Sequence, residues 1–165
     1  MTASVSLAGL NPMLGPYDLG PNRAELVPIR IGGDTLLLTE LRAERLHKLQ
    51  EAIEARVPPE EPLLILPYRA TYYPLLGRVS PVWGLYFTRP GEGESDMEMI
   101  RALEEKPVNW VLMTRDKHYT PGGFPKLRPE VWKYLKREFR RVDTPELPSP
   151  NYLMRRVSRS ERRPT

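Results

Sequence analysis

The chain has 165 residues, of which 40% are hydrophobic and 28% charged, and this is the size and composition of one folded globular domain. It contains no cysteine and only two histidines. This composition excludes disulfide scaffolds, thiolate metal sites and cysteine nucleophiles, and it argues against a multi-histidine metal centre. We therefore predict neither a bound metal nor a cofactor.

The net charge of +4 is concentrated near the C-terminus. Residues 155–163 contain five arginines and one glutamate, so the rest of the chain is neutral. A basic face on a folded domain is typical of nucleic-acid binding, whereas a short arginine-rich end is typical of a solvated tail. The charge pattern thus argues against nucleic acid as a partner, and binding through the arginine-rich tail is kept as the last alternative.

The first predicted elements are a leader, a hairpin and a helix. Residues 1–28 are rich in glycine, proline and asparagine and have no apolar period, which predicts an extended leader. Residues 29–31 and 35–38 flank a Gly-Gly pair, and glycine permits the positive φ of a tight β-hairpin turn. A helix follows, with Thr39 as its N-cap and an apolar face at spacings of three and four residues. Pro58 begins the pair of prolines that ends it.

Apolar strands and one-sided helices alternate along the rest of the chain. Leu63–Leu66 is an unbroken apolar run between prolines, as in strands covered on both faces, and residues 108–113 have the same character. A capping box at Ser95 opens a helix that extends through Glu105, and Pro129 starts another helix. The remaining predicted elements are a helical turn at 72–77, a strand at 82–87, and a terminal antiparallel pair formed by Val142 and residues 152–157.

This order of elements predicts an α/β fold, a three-layer Rossmann-like sandwich with a mostly parallel sheet and an antiparallel C-terminal edge. We predict a single α/β domain over 29–157, followed by a basic tail over 158–165. The three tryptophans, Trp83, Trp110 and Trp132, lie inside or beside predicted elements and are expected to pack in the core. The longest apolar run is far too short for a membrane-spanning helix, and the first residues do not resemble a signal peptide.

Basic and aromatic residues follow the predicted strands. In open α/β sheets, ligands bind beyond the carboxyl ends of the strands. The candidate ligand-binding residues at this edge are Tyr68, Arg69, Tyr72, Arg89, Arg115, Lys117 and His118. Guanidinium groups pair with carboxylate or phosphate, and tyrosines offer flat surfaces with a hydroxyl tip. Three interpretations stay open: a site for an anionic ligand, a surface that docks onto another domain, and ordinary polar loop ends.

The sequence carries no recognisable catalytic motif. Residues 91–94, Gly-Glu-Gly-Glu, precede a predicted helix, but two glutamates there would repel a phosphate. Neither a Gly-x-Ser-x-Gly elbow nor a His-Glu-x-x-His motif occurs. We therefore predict no catalytic residue and no enzymatic activity of the chain on its own. A small α/β enzyme that acts on a phosphorylated or acidic molecule through Arg69, Arg89, Arg115 and His118 is kept as an alternative.

Residues 63–81 read Leu-Leu-Ile-Leu-Pro-Tyr, then Tyr73-Pro-Leu-Leu-Gly-Arg78, then Pro81. This stretch resembles the C-terminal soluble region of bacterial polytopic glycosyltransferases that use polyprenyl-phosphate sugars, relatives of the protein mannosyltransferases. The resemblance extends over about residues 25–157, including the closing Asn-Tyr-Leu-Met-Arg-Arg at 151–156. In that family, catalysis is attributed to acidic residues of the membrane portion, so no catalytic residue is carried over.

The resemblance implies a non-catalytic accessory domain that binds an acceptor substrate or a partner protein. The implied partner is the membrane-embedded segment of such a glycosyltransferase. It also implies a location outside the cytoplasm if the chain is part of a membrane protein, whereas a chain translated alone is expected in the cytoplasm.

Overall fold

The computed structural model describes residues 26–31, 33–84, 94–115 and 123–158. The elements in chain order are β1 (Leu26–Ile31), β2 (Asp34–Thr39), α1 (Glu40–Glu54), β3 (Leu63–Leu66), α2 (Tyr72–Leu75), α3 (Asp96–Glu105), β4 (Trp110–Thr114), α4 (Phe124–Leu127), α5 (Pro129–Glu138), β5 (Phe139–Arg141) and β6 (Asn151–Arg156). This mixture of helices and strands confirms the predicted α/β class. No helix within the described ranges is long and apolar enough to cross a membrane.

The strands form two sheets. β1 and β2 make the predicted antiparallel hairpin, and Gly33 in its turn has a φ of +93°. The other four strands form one sheet with the order β3-β4-β6-β5. β3 and β4 are parallel, whereas β6 is antiparallel to both of its neighbours. The sheet is therefore mixed: it has the predicted antiparallel C-terminal edge, but parallel pairs are not the majority among the described strands.

The strand predicted at residues 82–87 is not found in its described part. Residues 82 and 83 form bends, residue 84 has no regular structure, and residues 85–87 lie outside the described ranges. The Ser80 hydroxyl donates to the Val82 carbonyl oxygen at 2.7 Å, a local bond of the kind that competes with strand pairing. The prediction that Trp83 packs in the core is wrong, since its side chain is 88% exposed. By contrast, Trp110 is buried and Trp132 packs against the core.

The predicted start and end of the domain can each be compared with the described residues. β1 begins at Leu26, so the predicted end of the leader at residue 28 falls inside a strand. Residues 1–25 of the leader, and the tail beyond Ser158, lie outside the described residues.

Apolar side chains on the two faces of the sheet form two core clusters. Leu64 and Leu66 pack with apolar residues of α3 and α5, whereas Leu63 and Ile65 pack with those of α1 and α2. All four of these β3 residues are at most 1% exposed. Successive strand residues point to opposite faces, and helices cover both, so both sets of side chains must be apolar. This explains the unbroken apolar run in the sequence.

Among the described strands, β3 lies at the edge of its sheet, and Tyr73 in α2 binds one of its outward backbone groups. The Ile65 N–H donates to the Tyr73 hydroxyl, with 3.0 Å between nitrogen and oxygen, and the contact is buried. Burial raises the pKa of Tyr73 above its ordinary value, so this hydroxyl stays neutral over the physiological range. Open edge strands are templates for pairing with other chains, and this hydrogen bond blocks part of that edge.

Tyr73→Phe should lower the free energy of unfolding by about 1–3 kcal/mol, because it leaves a buried N–H without its acceptor. Urea denaturation measures this change. Tyr72→Phe is the matched control in the same helical turn, and we expect it to be nearly neutral. Equal losses in the two variants would contradict the role given to the Ile65 hydrogen bond.

Candidate functional site

The carboxyl edge of the parallel pair β3 and β4 carries the described part of the predicted site. Tyr68 and Arg69 follow β3, and Arg115 follows β4. Because β6 is antiparallel to β4, it begins at this same edge, where Asn151 pairs with Thr114. The remaining predicted residues, Arg89, Lys117 and His118, lie outside the described residues.

A cavity of about 540 Å³ opens at this edge, on the face of the sheet covered by α1. It is lined by Arg69 and Tyr72 of the predicted site, together with Arg42 and Arg45 of α1. The rest of its lining consists of Leu38, Leu46, Leu49, Thr71, Pro148, Ser149, Pro150 and Asn151. None of these described lining residues is acidic. We call this space the arginine cavity.

Arg69 is held between aromatic rings. Its Cζ atom lies 5.0 Å from the ring centroid of Tyr68 and 6.0 Å from that of Tyr72. Tyr68 is buried, so one of the two surfaces that support the guanidinium belongs to the protein interior. Cation–π contacts of this kind orient a guanidinium group, and an oriented group loses less entropy when it binds an anion.

Arg42 and Arg45 were not among the residues predicted from the sequence. They lie three residues apart near the start of α1, a spacing that places side chains on the same side of a helix. α1 leads into β3, so its first turns lie at the edge of the sheet where β3 ends. The order of α1 and β3 along the chain could have indicated these two arginines. Using that order requires knowing which edge of the sheet holds the site.

Asn151 fixes the wall of the cavity at the rim of the sheet. Its Oδ1 atom accepts a hydrogen bond from the Thr114 hydroxyl at 2.8 Å, and its Nδ2 atom donates to the Pro148 carbonyl oxygen at 3.0 Å. These two bonds tie the loop at residues 148–150 to the end of β4. The side chain of Asn151 therefore has a positioning role. The charged groups in the described lining of the cavity are the guanidinium groups of the arginines.

Arg115 does not join Arg69 in the cavity. Its Cζ atom lies 4.7 Å from the ring centroid of Tyr152, which packs in the core cluster on the opposite, α5-covered face. Arg141 approaches the same ring at 5.2 Å. Burial raises the pKa of Tyr152, and the hydrogen bond with Arg115 partly offsets that rise. The described arginines that were predicted to share one edge thus form two groups, one on each face of the sheet.

The described lining of the arginine cavity offers guanidinium donors, hydroxyl groups and apolar surface, a set suited to binding an anion attached to a larger body. No cluster of three or more histidine, aspartate or glutamate side chains able to hold a metal ion occurs within the described part of the chain. Comparisons of this chain with protein-family models, with curated proteins and with solved structures found no match.

Proposed function

We propose that this chain is a non-catalytic accessory domain that binds an anionic group of an acceptor substrate or a partner protein in the arginine cavity. The observation that carries the proposal is the convergence of Arg42, Arg45 and Arg69 on one cavity without an acidic residue in its described lining. Carboxylate and phosphate are the groups that match the planar fork of guanidinium donors. The resemblance of residues 63–81 supports a membrane glycosyltransferase as the enzyme that the domain serves.

The cavity combines positive charge with apolar surface. Three guanidinium groups belong to its described lining, and positive charge at a cavity attracts an anion. Leu38 and Leu46, both half-buried, give the cavity an apolar surface that a free inorganic anion does not need. This surface supports a ligand in which the anion is attached to a larger organic body.

We further propose that the domain is a small three-layer, Rossmann-like sandwich. The core clusters on the two faces of the sheet, with α1 on one side and α3 and α5 on the other, support this architecture. In open α/β sheets, ligands bind at the carboxyl ends of the strands, which is where the arginine cavity lies.

Calorimetric titration with citrate and inorganic phosphate tests the proposed function. We expect saturable binding that weakens as salt is added, because the interaction is electrostatic. Arg69→Gln should weaken binding about ten-fold or more, since it removes a charge-assisted hydrogen-bond donor. Arg101→Gln, at an exposed position of α3, is the control and should leave the affinity unchanged. Unaltered binding after substitution of Arg42, Arg45 and Arg69 would refute the assignment of this cavity.

The enzyme alternative receives less support from the described geometry. It needs Arg69 and Arg115 to grip one small substrate, but their guanidinium groups stack on different tyrosines on opposite faces of the sheet. The nucleic-acid alternative also receives less support. Arg156, one of the arginines near the C-terminus on which it depends, is engaged in internal hydrogen bonds.

A further inference from the structure

Two arginines lie together on the α5-covered face of the sheet, just across its rim from the arginine cavity. Arg115 and Arg141 are both exposed, and both stack on the ring of Tyr152. The backbone N–H of Arg115 donates to the Pro150 carbonyl oxygen at 3.0 Å, and Pro150 lines the cavity. We call these two arginines the rim pair.

The rim pair has the features of a second anion subsite. Its two guanidinium groups pack on one buried ring and both residues are exposed, so an anion in solution can reach them. Among the described residues, no acidic side chain forms an ion pair with either arginine. Two like charges held on one ring repel each other, and an anion bound between them would remove that cost.

The fold separates the rim pair from the cavity. Asn151 lines the cavity and the adjacent Tyr152 supports the rim pair, since successive residues of a strand point to opposite faces. The backbone of the sheet therefore lies between the arginines of the cavity and the rim pair. A single carboxylate or phosphate cannot contact both subsites, whereas an extended chain crossing the rim can.

We propose that the ligand is an acidic oligosaccharide that crosses the rim of the sheet, with one anionic group in the arginine cavity and another on the rim pair. This inference rests on the proposed function. Beside its arginines, the cavity presents apolar surface, the ring of Tyr72 and the hydroxyls of Thr71 and Ser149. Sugar rings pack on such surfaces and their hydroxyls bind such groups, whereas an inorganic polyphosphate chain would use only the arginines.

Calorimetric titration with galacturonic acid and with oligogalacturonates of increasing length tests this inference. The wild-type protein should bind a long oligomer at least about ten-fold more tightly than the monomer, because a second subsite adds an intramolecular contact. The double variant Arg115→Gln, Arg141→Gln should keep the affinity for the monomer and lose the gain with length. Arg69→Gln should weaken the binding of both. Arg115→Lys, which keeps the charge but not the planar fork, should retain part of the gain.

Each other outcome overturns a defined part of the proposal. If oligomers bind no more tightly than the monomer, the rim pair is not a subsite, while the anion-binding function stands. If inorganic polyphosphate shows the gain with length and oligogalacturonates do not, the carbohydrate class is wrong. If the double variant is unchanged and its unfolding midpoint matches that of the wild type, the second contact lies elsewhere. If citrate, phosphate and the acidic sugars all fail to bind, the proposed function itself fails.

Discussion

Arg78→Met is expected to lower the free energy of unfolding by about 3 kcal/mol, because it leaves several backbone carbonyls without their donor. The Nη1 atom of Arg78 donates to the carbonyl oxygens of Pro58, Pro59 and Glu61 at 2.7, 3.1 and 2.8 Å. Its Nη2 atom donates to the carbonyl oxygen of Val57 at 2.7 Å. One side chain therefore organises the connection between α1 and β3. Such bonds are not additive, so the expected loss is well below the sum of four separate hydrogen bonds.

The local sequence explains why an arginine is needed there. The connection contains three prolines, which have no N–H, so few backbone donors are present to pair with its carbonyls. Gly77 has a φ of +61°, which directs the chain into the Arg78 position after α2. The Gly-Arg pair on which part of the family resemblance rests thus has a structural role in this fold.

Urea denaturation with Arg78→Lys as the comparison measures the effect. A lysine keeps the charge but cannot reproduce the planar fork, so we expect an intermediate loss of stability. Arg101→Met, at an exposed site on α3, should change the free energy of unfolding by less than about 0.5 kcal/mol. An Arg78→Met midpoint equal to that of the wild type would show that these bonds contribute nothing net.

Arg156→Met is the second substitution expected to cost about 3 kcal/mol. Its Nε atom donates to the carbonyl oxygen of Val108 at 2.8 Å. Its Nη2 atom donates to the Leu103 carbonyl oxygen at 3.2 Å and to the Tyr134 hydroxyl at 3.0 Å. Leu103 lies in the last turn of α3, where carbonyls have no partner within the helix. The Cζ atom also lies 4.8 Å from the ring centroid of Phe139, so the side chain joins α3, α5 and the sheet.

The neighbouring Arg155→Met provides the matched control for Arg156. Arg155 is exposed and stacks on Trp110, with 5.6 Å from its Cζ atom to the ring centroid, and exposed contacts of this kind contribute about 0.5–1 kcal/mol. Chemical denaturation of both variants should therefore show a clearly larger loss for Arg156→Met. A similar small loss in both would mean that Arg156 behaves as part of a solvated basic end.

Local signals in the sequence were sufficient for most individual elements. The capping box at Ser95 is formed in both directions at the start of α3, as a Ser-x-x-Glu pattern predicts. The β1–β2 hairpin is formed, with Gly33 at positive φ in its turn, and the apolar run at Leu63–Leu66 is a strand buried on both faces. In each case the deciding interactions lie within a few residues of one another or in the burial of one segment.

The pairing of strands and the composition of the site depend on contacts between distant residues. The sequence places Arg69 and Arg115 after β3 and β4, at the same edge of the sheet, but it does not show on which face each side chain lies. The ring on which Arg115 stacks belongs to Tyr152 of β6, a strand distant in the sequence. Arg42 and Arg45 were missed because they lie off the apolar face of α1, and the helix pattern alone does not show that their side of α1 borders the end of β3.

Titration of the arginine Nε–Hε signals with inorganic phosphate, followed by nuclear magnetic resonance, tests the central claim most directly. The signals of Arg42, Arg45 and Arg69 should move together along one saturable curve. Those of Arg78 and Arg156 should stay in place, because neither residue lines the cavity and their guanidinium groups donate to internal carbonyl oxygens. The claim would be contradicted if phosphate left the three cavity signals unmoved, or moved exposed arginines such as Arg101 to the same extent.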